Sequence, residues 1–201
     1  CVSCGQCLVS CPFGAIVDKS QIYQVIRSIL EDNEVVAIVA PSFVGQFGKD
    51  VTVPKFLTAM KQLGFSDVVE VAAGADICTI EEAHDFMEKV PLEQRFMATS
   101  CCPSWRMMAR RLFPAESGNI SMTYTPMVYT ARLVKKEHPN IKVVFIGPCA
   151  AKKLEAMQDD IRTDVDFVLT YEELMGIFEA KEINFSALPD SPDLDEGTRA
   201  G

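Results

Sequence analysis

Eight cysteines hold most of the chemistry available to this chain: Cys1, Cys4, Cys7 and Cys11 at one end, Cys101 beside Cys102, and Cys78 and Cys149 alone. The first four form the run CVSCGQCLVSCP, a C-x2-C-x2-C-x3-C-P spacing. Thiols at i, i+3 and i+6 let a tight loop present three sulfurs to three irons of a [4Fe–4S] cube. Gly5 allows the backbone to pass close by, and Pro12 fixes the exit of the chain. Zinc sites favour two separated C-x2-C pairs instead. In two-cluster ferredoxins the fourth cysteine of such a run serves the other cube. Cys1, Cys4 and Cys7 then hold one cluster and Cys11 helps to hold a second; one cluster on all four is the alternative. The stretch TSCCPSW, residues 99–105, poses a different problem. Neighbouring side chains of an extended chain point opposite ways, which disfavours a shared metal, and a disulfide between them is strained. Cys101 and Cys102 therefore read as two thiols with separate partners.

These residues need a scaffold, and hydrophobic periodicity supplies one. Helical stripes cover 18–33, 52–65, 80–90, 104–113, 125–138 and 171–183, with Ser20 as a cap for the first and Gly64 ending the second. Short apolar, β-branched runs at 35–41, 66–72, 95–100, 142–149 and 166–170 read as strands. Alternating strands and helices predict an α/β domain with parallel sheets flanked by helices over residues 21–201. It is preceded, over 1–20, by the end of a ferredoxin-like α+β iron–sulfur module. Ala40–Ser42, Cys101–Cys102 and Pro148–Cys149 all fall where predicted strands end. Ligands of open parallel sheets gather at that edge. The residues from Ser186 to Gly201 read as a loop.

The chain has 201 residues and a formal charge of −9, an acidic balance that argues against nucleic acid and anionic membrane surfaces. No apolar run reaches the length of a membrane-spanning helix. Clustered thiols imply a reducing compartment, so the cytoplasm is expected. The chain opens within a motif and closes on DEGTRAG, and reads as a portion of a longer protein.

A ferredoxin run, then TSCCPSW, then PCAAKKLE (148–155) resembles the iron-only (FeFe) hydrogenases, whose signatures read TSCCPxW and PCxxKxxE. GADICTIEEA at 74–83 matches a further stretch of that family. The resemblance implies an H-cluster, a [4Fe–4S] cube joined through a cysteine sulfur to a two-iron unit carrying CO, cyanide and a dithiolate. It implies cube ligation by Cys102 and Cys149, with two further cysteines expected in a third signature beyond Gly201. Cys101 corresponds to the thiol that passes protons to the dithiolate amine, and Lys152 to the lysine that hydrogen-bonds a cyanide. Ala40, Pro41, Ser42 and Pro126 correspond to walls of the two-iron pocket. Glu82, Ser121 and Asp85 correspond to a proton route from Cys101 to solvent; read without the resemblance, both carboxylates are a solvated helix face.

The resemblance further implies reversible reduction of protons to hydrogen. Ferredoxin or another redox protein is the electron partner, and maturation proteins supply the two-iron unit. The alternatives are a hydrogen- or redox-sensing relative and, with less support, a hydrogenase-like iron–sulfur assembly protein. One departure stands out. Where the family usually has methionine before Pro-Cys, this chain has Gly147, which is expected to loosen that wall of the pocket. Cys78 reads as a small apolar residue on the approach to a helix, and Lys153, His84 and His138 as surface. Met107 and Met108 read as core, and Trp105 as packing beneath the cluster loop.

Overall fold

The computed structural model describes residues 1–31 and 34–189. Twelve helices and strands are described: α1 (Gln6–Ser10), α2 (Ile22–Leu30), β1 (Val35–Val39), α3 (Val53–Leu63), β2 (Asp67–Glu70) and α4 (Ala72–Lys89), followed by α5 (Pro103–Leu112), α6 (Pro126–Glu137), β3 (Lys142–Gly147), α7 (Ala151–Ala156), β4 (Phe167–Thr170) and α8 (Tyr171–Ala180). The strands form one parallel sheet in the order β2-β1-β3-β4. The chain leaves β1 for β2 on one side and later returns to β3 on the other. The carboxyl ends of β1 and β3 therefore form a topological switch point, where neighbouring connections diverge and leave a crevice.

The sheet is buried on both faces, which is why its strands are continuous apolar runs. Val35, Ala37 and Val39 of β1 join Val144 and Ile146 of β3 in a core with Phe56, Leu174 and Phe178 from α3 and α8. Val36, Ile38, Val143 and Phe145 face the opposite way, onto Met127, Val128, Ala131 and Val134 of α6. Local signals set the ends of several helices. Thr52 caps α3 by accepting the Lys55 N–H, and Gly64 terminates it at φ +105°. Thr170 and Glu173 close a reciprocal capping box on α8.

Four expectations need correction. Residues 95–100 do not form a strand. Ala98 makes one isolated bridge to Ile120, through Ala98 N–H to Asn119 O and Ser121 N–H to Ala98 O. Ile120 sits between a 3-10 turn and an extended stretch, so no longer ladder is available. Helix α4 begins at Ala72 rather than near residue 80, because Gly74 allows it to cross α6 closely. A Cβ there would lie 2.4 Å from the Pro126 carbonyl oxygen. Helix α2 is shorter than its stripe, with Gln21 at the cap position; Ser20 Oγ accepts the Ile22 N–H just outside it. Of the methionine pair, Met107 is half-buried, but Met108 is on the exposed side of α5. His84 and His138 are exposed, as anticipated, and Trp105 is half-buried. Of the segment 186–201, residues 190–201 lie outside the described residues. Among the described residues, no helix is long and apolar enough to cross a membrane.

Candidate functional site

Two short loops at the switch point carry much of the site. After β1, the ladder runs one residue further through Ala40 N–H to Ile146 O at 2.9 Å, and Pro41 then starts a 3-10 turn. Tyr171, buried at the first position of α8, pins this loop. Its hydroxyl donates to Ala40 O at 3.1 Å and lies 2.7 Å from Ser42 Oγ. A phenol has one proton to give, so the serine is the donor in the second contact. Burial raises the Tyr171 pKa, and the Ser42 hydrogen bond acts in the opposite direction. After β3, Pro148 and Cys149 lead into α7, which presents Lys152.

The third contribution comes from outside the sheet. Cys102 is the N-cap of α5, and its Sγ accepts the Trp105 N–H at 3.5 Å. Its sulfur there satisfies one of the N–H groups that the first turn of a helix leaves without an intrahelical partner. Ser100 and Ser104, flanking the cysteine pair, are buried, and neither hydroxyl has a protein hydrogen-bond partner.

Cys101, Cys102, Cys149, Lys152, Ala40, Pro41, Ser42 and Pro126 all line one predominantly apolar cavity of about 350 Å³ at the carboxyl ends of β1 and β3. A cleft of about 550 Å³ between Val2–Ser3, α5 and α7 is larger but has no cysteine in its lining, so chemistry rather than size marks the site. The Lys152 ammonium donates to Cys101 O at 3.1 Å and pairs with Glu155 Oε2 at 2.6 Å. Glu155 is 1% exposed and anchors the lysine from below. With two of three N–H donors used, one remains for an anionic ligand. Three thiols and an unspent ammonium donor around an apolar cavity suit an anionic iron–sulfur cofactor.

The other candidate residues fall elsewhere. Glu82 and Asp85 sit on α4, with Asp85 3.1 Å from Lys89, and Ser121 is buried, its Oγ accepting the Thr123 N–H. No direct hydrogen bond joins Cys101, Glu82, Ser121 and Asp85. Glu82 and Cys101 do share a neighbour in Cys78. That thiol lies inside α4 at 7% exposure rather than on the approach to a helix. Burial first, then the charges of Glu82 and Cys101, push its pKa up to about 11, with Lys152 pulling down. At the other end of the chain, Gly5 adopts φ +80° and starts α1. Cys1, Cys4 and Cys7 are exposed, and Cys11 is half-buried. Backbone N–H groups of Ala15 and then Phe13 hold the Cys11 thiol below its usual range. Among the described residues, no three His, Cys, Asp or Glu side chains converge as a metal site.

Two further expectations at the site change. Lys153 is not a surface lysine; it is buried and ion-paired with Asp18 and Glu173. Gly147 does not loosen the pocket wall. The Phe145 ring, itself part of the cavity lining, stands 2.5 Å from where a Cβ at residue 147 would be. Sequence reasoning gave no role to Tyr171, Phe145 or Glu155. Only Glu155 had a local signal, its i,i+3 spacing from Lys152.

Comparison with known proteins agrees with this geometry. The family described as "Iron only hydrogenase large subunit, C-terminal domain" matches residues 33–201. Iron hydrogenase 1 of Clostridium pasteurianum is 33% identical over 94% of this chain and 37% of its own length. The cytosolic Fe-S cluster assembly factor NAR1 of Debaryomyces hansenii is 29% identical over 65% of this chain and 27% of its own. The solved structure of apo [FeFe]-hydrogenase HydA1 from Chlamydomonas reinhardtii, variant C377H, superposes with a TM-score of 0.75 at 26% identity, covering 85% of this chain and half of that one. The chain thus spans about a quarter to a half of the proteins it resembles.

Proposed function

The chain belongs to the iron-only hydrogenase large-subunit family, by its C-terminal domain, and on that premise we propose that it builds one side of an H-cluster site for the reaction 2H⁺ + 2e⁻ ⇌ H₂. The observation that carries this reading is the single cavity at the switch point. It gathers Cys101, Cys102, Cys149 and Lys152 from stretches about 50 residues apart in sequence, as ligands of open sheets require.

Each residue has a distinct task in this reading. Cys102, at the N-cap of α5, and Cys149, just before α7, would hold the cube through their two sulfurs. Lys152, steadied by Glu155 and the Cys101 carbonyl, gives its remaining N–H to an anionic ligand of the two-iron unit. Ala40, Pro41, Ser42 and Pro126 wall the cavity with largely apolar surface, beside which that contact gains strength. When bound, the H-cluster supplies the redox-active irons at which protons and electrons combine. Cys101 holds and releases a proton at Sγ. Glu82, Ser121 and Asp85 continue the route to solvent, with water bridging the gaps between them. Residues 1–20 act as the end of a ferredoxin-type module whose cysteines hold [4Fe–4S] clusters, two in this reading, and residues 21–201 as part of the catalytic domain. Ferredoxin or another redox protein exchanges electrons with those clusters, maturation proteins deliver the two-iron unit, and the cytoplasm suits free thiols.

The test uses the full-length protein matured with its two-iron unit. Cys101→Ala should abolish hydrogen turnover while the infrared bands of CO and cyanide persist, whereas Cys102→Ala should prevent cube assembly. Unchanged turnover in Cys101→Ala refutes the proton role. Similarity to an assembly factor favours a second reading, an iron–sulfur protein without the two-iron unit. Cube signals with no CO or cyanide bands after maturation would establish it; the presence of both Cys101 and Lys152 speaks against it.

A further inference from the structure

Lys152 and Lys153 leave α7 on different errands. Lys152 lines the cavity, while Lys153, 7% exposed, is buried against the stretch that follows the cysteine run. Its ammonium donates to Glu173 Oε1 at 2.9 Å and to the Lys19 carbonyl at 3.0 Å. Asp18 Oδ2 lies 2.5 Å away, off the hydrogen-bonding direction, as a charge contact. Glu173 is itself fixed, since its other oxygen accepts the Thr170 N–H in the cap of α8. Two further ties hold the same segment. Gln21 Oε1 accepts the Val168 N–H at 2.7 Å from the edge strand β4, and Arg111 donates to the Cys1 carbonyl at 2.5 Å.

Apolar burial cannot do this job. Helix α1 buries no residue, and Val9 and Phe13 are 84% and 88% exposed. A buried ion triad adds little net stability, because desolvation offsets the Coulomb gain, but it fixes geometry well, since misplacing one member leaves a buried charge unpaired. The segment therefore depends on polar ties for its place.

We propose that Lys153 is the positioning residue that sets the cysteine-rich segment in register with the cavity. Helix α7 carries Cys149 just before it, Lys152 on its cavity side and Lys153 on its linker side, so the same short helix references both redox sites. In this arrangement one electron passes from a reduced ferredoxin-type [4Fe–4S] cluster on the segment to the cavity cofactor. The cluster is oxidised and the cofactor reduced across a distance that Lys153 fixes. The electron step rests on the proposed function; the positional claim does not.

Hydrogen–deuterium exchange of the full-length protein before cluster loading separates the two. Lys153→Met should raise the exchange of the Val168 amide, whose acceptor Gln21 belongs to the segment, about tenfold or more, the loss of a charge-assisted anchor, while the amides of β1 and β3 keep their protection. Lys153→Arg should restore it, and Asp18→Asn, on the exposed side of the triad, should reproduce part of the effect if Lys153→Met fails to fold. Unchanged exchange at Val168, or an increase spread equally over β1 and β3, overturns the proposal. In the loaded protein, Lys153→Met should weaken magnetic coupling between segment and cavity clusters and slow turnover with a protein electron donor more than with a small soluble dye. Should exchange respond while the loaded wild-type protein makes no hydrogen, the function fails and the positional claim stands.

Discussion

Exchange of Gly147 for methionine gives the sharpest test of how the cavity wall is built. Gly147 has no positive φ and ends a buried strand, so it is present for space rather than for backbone freedom. A Cβ at this position would meet Cε1 and Cζ of Phe145 at 2.5 and 2.6 Å. Carbon atoms settle at about 3.5–4.0 Å, so the overlap is about 1 Å against a ring that is 3% exposed. Overpacking of that kind costs about 1–3 kcal/mol, and methionine at 147 belongs at the upper end. Phe145→Ala alone removes a buried ring and should cost about 3–5 kcal/mol. In the double variant the methionine occupies the space the ring leaves, so its cost should fall short of the sum by about 1–3 kcal/mol. Urea unfolding of the iron-free protein, followed by circular dichroism and by the fluorescence of the single tryptophan, Trp105, measures all four corners of the cycle. Additivity within about 0.5 kcal/mol would show that ring and glycine are independent, and would refute this account of the wall.

Three further outcomes follow from the same packing and ion pairs. Gly74→Ala should destabilise the protein by about 1–3 kcal/mol in the same unfolding assay, despite alanine's better helix propensity, because its Cβ meets the Pro126 carbonyl and Thr130 Oγ1 where α4 crosses α6. Burial raises the Asp166 carboxyl, but hydrogen bonds from Lys135, the Val143 N–H and Lys142 outweigh it and leave the group below its ordinary 3.8. A depressed folded pKa stabilises above the unfolded value and is lost as pH falls through the folded one. The stability gap between wild type and Asp166→Asn should therefore be full above about pH 4 and shrink below it in acid unfolding titrations. Cys78, raised to about 11, should resist iodoacetamide at pH 9 in the native protein, and mass spectrometry should find it alkylated only after unfolding.

Much of this protein was legible in its sequence because the signals are local. Continuous apolar runs marked β1, β3 and β4, since burial on both faces demands them, and Gly64 marked the end of α3. Cysteine spacing pointed to iron–sulfur chemistry, because ligands of one cluster can lie a few residues apart. The false strand at 95–100 arose where apolar, extended residues found only one bridging partner, and strand formation depends on a partner far along the chain.

Sequence alone thus determined which side chains could hold a cofactor, and that they sit near strand ends. Tertiary structure decided the rest. Parallel pairing in the order β2-β1-β3-β4 brings Ala40 and Cys149 to one crevice. Tyr171 reaches back across 129 positions to hold Ser42, and Lys153 across 134 to hold Lys19. The Phe145 ring fills what the one-dimensional pattern presented as a gap at Gly147. The physical reason is common to all three. Hydrogen bonds, ion pairs and close packing depend on distance in space, and the fold sets that distance with little regard for separation along the chain.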